Sequence, residues 1–178
     1  MRAQDKVRPT KNASSHETSP EMVIDLLNYV PYYYEDVVMD AGSGANKVWY
    51  NNIITRDKME WDLEDGKDYL KFDGEVDWTV GNPPYHISWD FHLKALQTSR
   101  KGIAWLVNLN NLNSLLSPKR LNIMRDYEFE LTHIIVVEDV RWFGRYFFLI
   151  FEKIDIYGGQ MKFSWINKKY GNKLAKGM

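Results

Sequence analysis

Short β-branched and aromatic runs alternate along this chain with helical stretches, and that alternation restricts the fold more than any other feature. Val37-Val38-Met39, Lys58–Leu63, Val76–Val80 and Ile103–Val107 read as strands, and so do Thr132–Val137 and Tyr146–Phe151. Trp89–Ser99 and Lys119–Tyr127 read as helices, the first with Phe91, Leu93, Ala95 and Leu96 available for a buried side. Strands separated by helices predict an α/β sheet, doubly wound and mostly parallel. About eight residues part the last two strands, too few for a helical crossover, so the final strand is expected to run antiparallel. Lys58–Leu63 alternates charged and apolar residues, the pattern of a strand near a sheet edge.

The chain has 178 residues, which matches one domain with a core of its own. Residues 1–17 are polar and aperiodic and read as a flexible arm. Thr18-Ser19-Pro20-Glu21 then looks like a helix start, with a hydroxyl at the cap and Pro and Glu in the first turn, leading into a helix over about Glu21–Asn28. The main domain is expected over 18–153, with 154–178 as a basic extension. Cysteine is absent, which excludes disulfides, thiolate metal sites and a cysteine nucleophile. No apolar run approaches the roughly 20 residues that span a bilayer, so no membrane partner is expected and the default compartment is intracellular. His16, His86, His92 and His133 show no metal-ligand spacing, and no metal is expected.

Charge is unevenly spread. Residues 1–77 carry 9 Lys/Arg against 16 Asp/Glu, whereas 78–178 carry 14 against 8. In the extension, Lys162, Lys168, Lys169, Lys173 and Lys176 face Asp155 alone. Such a tail is usually a solvated face, and it is also what an edge turned towards a polyanion looks like.

Three constellations carry chemistry. Asp40-Ala41-Gly42-Ser43-Gly44 follows a strand directly, and its glycines permit a tight turn and close approach of a ligand to the backbone. Asp62 lies about twenty residues beyond Gly42, where a carboxylate can accept hydrogen bonds from both hydroxyls of a ribose; Glu60 competes for that part. Asn82-Pro83-Pro84-Tyr85 is the most specific. Two prolines after an apolar strand end the ladder and freeze an extended turn. That turn presents the Asn82 side-chain oxygen and the Pro83 carbonyl as two fixed acceptors, with Tyr85 as a flat stacking face. The run Asn108, Asn110, Asn111 and Asn113 reads as a loop on the same side of the sheet.

Together these residues resemble the S-adenosylmethionine-dependent amino-methyltransferases, chiefly the DNA adenine-N6 methyltransferases, over about residues 18–153. Asn82-Pro83-Pro84-Tyr85 is similar to the family's catalytic motif, and Asp40-Ala41-Gly42-Ser43-Gly44 to its cofactor loop. Thr18-Ser19-Pro20-Glu21-Met22 resembles the segment that closes over the methionine part of the cofactor, which the resemblance assigns to Thr18 and Pro20. Asp62 falls at the ribose-binding acid, and Asp68 where a side chain reads the cofactor's adenine. Arg141-Trp142-Phe143-Gly144 resembles the place where an aromatic residue packs against the target base.

The resemblance implies a Rossmann-like methyltransferase sheet, S-adenosylmethionine as cofactor, and methyl transfer to adenine N6 in DNA. The same motif serves any planar –NH₂, so RNA adenine and a protein glutamine amide stay open, as does a non-catalytic subunit of the same fold. The loop departs from the family in carrying Asn46 where a third glycine or an apolar residue is common. Only about 25 residues follow the last expected strand, so no target recognition domain is evident. Lys119, Arg120 and the C-terminal lysines are left to hold phosphates, which position a nucleic acid without reading its sequence. Either relaxed specificity follows, or a homodimer partner or companion chain supplies the reading.

Overall fold

The computed structural model describes residues 18–142, 144–154 and 161–171. The N-terminal arm and Phe143 lie outside them. The elements run, in chain order, α1 (Pro20–Leu27), β1 (Val37–Ala41), α2 (Val48–Asn52), β2 (Asp57–Trp61), β3 (Val76–Gly81), α3 (Ser88–Thr98), β4 (Ser99–Asn108), α4 (Leu109–Leu115), α5 (Pro118–Asp126), β5 (Phe129–Asp139), β6 (Tyr146–Lys153) and β7 (Lys162–Tyr170).

Helix α1 starts as its sequence dictates. Ser19 caps it by accepting a hydrogen bond from Met22 N, with Pro20 in the first turn. Its Met22, Val23, Leu26 and Leu27 are all buried, at the spacing that puts four side chains on one stripe.

The strands form one sheet in the order β2-β1-β3-β4-β6-β5-β7. Strands β2, β1, β3 and β4 are mutually parallel, and β6 is antiparallel to both β4 and β5. The expected α/β sheet with an antiparallel strand near its end is what the chain adopts. One strand was not foreseen. Residues 162–170, read as part of a basic extension, form β7, which pairs parallel to β5 at the far edge of the same sheet. Strand β2 is the opposite edge, as its alternation predicted. Strand β3 is buried along its whole length, with Asp77 and Thr79 buried alongside Val76, Trp78 and Val80.

Two apolar layers sandwich the sheet. One holds Met22, Leu26, Trp49, Val38, Val80, Leu106 and Phe148, and covers the face under α1 and α2. The other holds Phe91, Leu96, Leu115, Met124, Trp105 and Phe151, under α3, α4 and α5. Where a loop was expected, the asparagine-rich run forms α4, because the Asn108 side chain caps it by accepting from Asn111 N. Parallel strands direct their carboxyl ends to one edge of the sheet, and the turns after β1 and β3 meet there.

Candidate active site

Strand β1 ends in Ala41, and the chain turns at once. Gly42 and Gly44 take φ of 75° and 68°, a region that strongly favours glycine. The turn is tied to β2 by Gly42 N, which donates to Trp61 O at 2.8 Å, and by Gly44 N, which donates to Asp62 Oδ2 at 2.9 Å. The other Asp62 oxygen accepts from Glu64 N at 2.9 Å. Each carboxylate oxygen keeps a second lone-pair site, so Asp62 both braces the glycine turn and remains able to accept from a ligand hydroxyl. Glu60, its competitor, is otherwise engaged: it takes Ser43 Oγ at 3.2 Å and the ammoniums of Lys47 and Lys67 at 3.2 and 3.0 Å. Burial alone would raise the Glu60 carboxyl, but the two lysines hold it below its ordinary value.

Two of the proposed cofactor residues are occupied with the protein's own backbone. Asp68 caps the single turn at 69–71 by accepting from Leu70 N at 3.1 Å. Asp40 is fully buried, and its Oδ2 accepts from Tyr50 N at 2.9 Å. It therefore anchors the segment that follows the glycine turn, while Asp40 Oδ1 is buried with no partner. Burial pushes its carboxyl up to about 7, with Glu60 and Asp62 adding to the rise and Tyr50 N and Lys47 opposing it.

A raised acid makes the native state hold a proton that the unfolded chain has already released. Stability then falls as pH climbs from 3.8 to about 7. Asp40→Asn keeps an acceptor for Tyr50 N and does not ionise. Chemical denaturation is expected to show the variant gaining on the natural protein as pH rises from 4 to 8, by at most about 4 kcal/mol. Parallel pH profiles would show that Asp40 titrates like an exposed carboxylate.

The Asn82-Pro83-Pro84-Tyr85 turn meets the glycine turn directly. A Cβ placed on Gly42 would lie 3.3 Å from Phe91 Cε1 and 3.6 Å from Pro84 Cδ. Gly42 is thus needed for packing of one turn on the other, whereas a Cβ on Gly44 would meet nothing within 4 Å. The second glycine leaves its backbone open to a visitor.

Asn82, Pro83, Pro84 and Tyr85 line a hollow of about 230 Å³. Asn82 Oδ1 is buried and has no hydrogen-bond partner. The Tyr85 phenol is held above its ordinary value, first by burial and then by Tyr146 beside it, against an opposing hydrogen bond from the Asn82 side chain, so it stays neutral. A second cleft, about 420 Å³, is lined by Thr18, Ser19 and Pro20 with Asn46, Asn51, Asn52, Val48 and Arg141. Thr18 and Pro20, from the chain's first described residues, thus share a cleft with Asn46 and Val48, which follow the glycine turn.

Trp142 behaves differently from expectation. Trp142 is only 8% exposed and packs on Tyr146 at 4.5 Å between ring centroids. Tyr146 in turn lies 6.4 Å from the Tyr85 ring. Trp142 therefore backs the wall of the hollow instead of offering an open face. Lys119 and Arg120 sit in the first turn of α5, and neither lines the hollow. Lys119 is exposed, while Arg120 lies over the Trp89 ring at 4.5 Å. Lys168 is drawn into ion pairs with Glu21 and Asp25 at 2.7 and 3.0 Å.

Sequence reasoning missed Asn111. Its Nδ2 donates to Tyr85 O at 2.8 Å and to Ser88 Oγ, so α4 clamps the turn that carries Tyr85. Asparagine in the first turn of a short capped helix was the available signal. Asn111→Leu removes both bonds and is expected to cost about 1–3 kcal/mol in urea unfolding; an unchanged midpoint would show that the clamp contributes nothing. His92 is bland, as read: it is buried, accepts from Trp105 Nε1 at 3.1 Å, and is pushed down to about 3 by burial and by Arg120. Among the described residues no three His, Asp or Glu side chains gather to hold a metal ion, and no helix is long and apolar enough to cross a membrane.

No family model matches the sequence, and no curated relative matches it. Solved structures do. A Listeria monocytogenes protein assigned to the class I S-adenosylmethionine-dependent methyltransferases superposes with a TM-score of 0.66 at 12% identity, covering 90% of this chain and 68% of that one. A Pyrococcus horikoshii protein assigned as an RNA methyltransferase gives 0.58 at 16% identity, over 78% and 83%. A dimethyladenosine transferase from Plasmodium falciparum gives 0.58 at 12%, over 76% of this chain and 61% of its own length. The sheet described above is that of the class I, Rossmann-like methyltransferase fold.

Proposed function

We propose that this chain transfers a methyl group from S-adenosylmethionine to the exocyclic N6 of adenine in DNA. The observation that carries the reading is Asn82 Oδ1, an acceptor buried without a partner in a residue that lines a hollow beside the glycine turn. An unsatisfied buried acceptor costs about 1–3 kcal/mol, a cost that an incoming N–H removes. The methyl donor fits the other half of the site: Gly44 leaves open backbone, Asp62 retains acceptor capacity for ribose hydroxyls, and Thr18, Pro20 and Asn46 border the adjoining cleft.

When bound, S-adenosylmethionine supplies a sulfonium methyl carbon that takes the amine's lone pair while the C–S electrons return to sulfur. The protein's part is to make that lone pair available. An aromatic amine is a poor nucleophile because its lone pair is delocalised into the ring. Asn82 Oδ1 and the Pro83 carbonyl hold its two protons and draw the nitrogen towards a tetrahedral shape. Neither acceptor has to act as a base, since the nitrogen sheds its proton once it has become positively charged. Tyr85, neutral and flat, stacks on the base and offers its π face to the positive charge. Positioning and electrostatics supply the acceleration. In a duplex the base must first leave the stack, at a few kcal/mol that stacking on Tyr85 helps to offset.

A second reading is supported by the neighbours: two of the superposed proteins carry RNA methyltransferase or dimethyladenosine transferase names. Adenine in RNA is therefore the nearest alternative acceptor. Tritiated donor offered side by side to single-stranded and duplex DNA, RNA and protein separates these readings. Label in DNA, released as N6-methyladenine, is the expected result; label in RNA alone moves the substrate, and label in protein alone discards the nucleic acid.

A further inference from the structure

The two ends of an asparagine amide look alike and act in opposite ways. Oδ1 can accept a proton from an amine, whereas Nδ2 only donates and would push an incoming –NH₂ away. The chemistry read for Asn82 therefore needs something in the protein to decide which end faces the hollow. Oδ1 does not do this itself, since it is buried without a hydrogen-bond partner. The opposite end is engaged: the Asn82 side chain hydrogen-bonds the Tyr85 phenol, and Tyr85 hydrogen-bonds Tyr146.

The direction of each bond follows from what it does to the phenol. A hydrogen bond that a phenol accepts favours its ionised form, and one that it donates favours the neutral form. Burial is the first cause that raises both phenols. Beside it, the Asn82 bond acts to lower Tyr85 and the Tyr146 bond to raise it. On Tyr146 the same bond acts to lower. Tyr85 thus receives a proton from Asn82 Nδ2 and gives its own to Tyr146 Oη. A phenol has one proton to donate. With that proton turned towards Tyr146, none is left for Asn82 Oδ1, and a flipped amide would set oxygen against oxygen.

The far end of this chain of bonds is firmly held. Tyr146 opens β6, opposite Asn108 of β4 and Val137 of β5. It is buried and packs on Trp142 at 4.5 Å between centroids, and its ring is tilted by 42° to that of Tyr85 at 6.4 Å. The Tyr85 backbone is fixed separately, by Asn111 Nδ2 on its carbonyl at 2.8 Å. Asn82 and Tyr85 both line the hollow, so the chain of bonds runs from the sheet along its wall. We propose that Tyr146 is a positioning residue: through the Tyr85 hydroxyl it holds the Asn82 amide with Nδ2 turned to Tyr85, so that Oδ1 is the end offered to the substrate's –NH₂. This rests on the methyl-transfer reading above, and it gives the Tyr85 hydroxyl a task separate from the stacking of its ring. Without the Tyr146 oxygen, the Tyr85 hydroxyl can rotate and donate to Asn82 Oδ1, which occupies the acceptor that the chemistry uses.

Tyr146→Phe removes the oxygen and keeps the ring on Trp142. With an adenine-containing DNA strand and tritiated donor, kcat is expected to fall about tenfold while KM and calorimetric donor affinity stay within about twofold. The unfolding midpoint should barely move. Tyr85→Phe should cost at least as much. Adding Tyr146→Phe to it should change kcat by less than about twofold, because the second phenol then has nothing to act through. Losses that multiply, or a natural kcat in Tyr146→Phe, overturn the proposal. So does a fall in kcat accompanied by loss of donor affinity and a lower midpoint, since Tyr146 is then only structural. Side-chain amide exchange by NMR reads the same bonds without turnover, with the Asn82 signal assigned by its disappearance in Asn82→Ala. The Asn82 –NH₂ should exchange with solvent at least about tenfold faster in Tyr85→Phe than in the natural protein. Equal exchange overturns the proposal. Exchange that is slowed by Tyr85 in a protein that methylates nothing keeps the positioning by Tyr85 and Tyr146 and discards only the methyl-transfer reading.

Discussion

Asn82→Ala is expected to abolish most methyl transfer, lowering turnover by about 10²–10³-fold, while the affinity for the methyl donor stays within about twofold of the natural protein. The split follows from what the side chain touches. Asn82 belongs to the turn after β3 and lines the hollow with Pro83, Pro84 and Tyr85, whereas the donor's proposed contacts come from the turn after β1 and from the chain around Thr18. The same substitution carries an opposite expectation for stability. Asn82 Oδ1 is buried with no partner, while the same side chain hydrogen-bonds the Tyr85 phenol; removing an unsatisfied acceptor offsets the loss of that bond, and the variant should unfold close to the natural protein. Loss of turnover together with unchanged or higher stability would mark Asn82 as a group kept for chemistry at a cost to the fold. Full activity in the variant would remove it from the mechanism, and lost stability would show that its side chain has a role in the fold itself. Initial rates, donor calorimetry and a thermal melt on one preparation decide all three points.

Gly102→Ala is expected to destabilise the fold severely. Gly102 in β4 lies opposite Trp78 in β3, and a Cβ there would stand 2.1 Å from Trp78 Cζ3 and 2.2 Å from Cη2. Trp78 is 2% exposed and wedged in the layer under α1 and α2, so the ring has nowhere to retreat. Overpacking of this kind costs about 3 kcal/mol or more, which for a chain of this size lowers the melting midpoint by roughly 6–12 °C. The contact also makes a compensation available. Trp78→Leu alone leaves a cavity and is destabilising, but combined with Gly102→Ala the added methyl enters vacated space. The double variant should be more stable than the sum of the two losses by about 2 kcal/mol. Additive losses would mean that the strands move apart to admit the methyl and that the ring contact is not the constraint.

The glycine turn after β1 and the Asn82-Pro83-Pro84-Tyr85 turn were legible because they depend on local backbone chemistry. Two prolines and two glycines dictate where strands must stop and which φ values are allowed, and Ser19 announced α1 through a bond to a residue three positions away. The elements that escaped detection were those whose stabilising partners are remote. Helix α2 has only five residues and owes its place to Tyr50 N on Asp40 and to Trp49 in the core. Helix α4 is a poor helix by composition, held by its Asn108 cap and by the Asn111 bond to Tyr85, 26 residues upstream. Strand β7 looked like a charged tail because its lysines dominate the count, and only its pairing with β5 shows that alternate residues face opposite ways.

The sequence by itself therefore determined the α/β alternation, the antiparallel β6, the start of α1 and the Asn82-Pro83-Pro84-Tyr85 turn, all of which follow from propensities and steric rules acting within a few residues. Tertiary structure alone decided that Asp40 lies fully buried beneath the turn, that Trp142 backs the wall of the hollow, that Asn111 clamps Tyr85, and that Phe163 and Trp165 stand exposed together on an edge strand. Burial and long-range hydrogen bonds are properties of which surfaces meet, and no spacing along the chain encodes them until the sheet has closed.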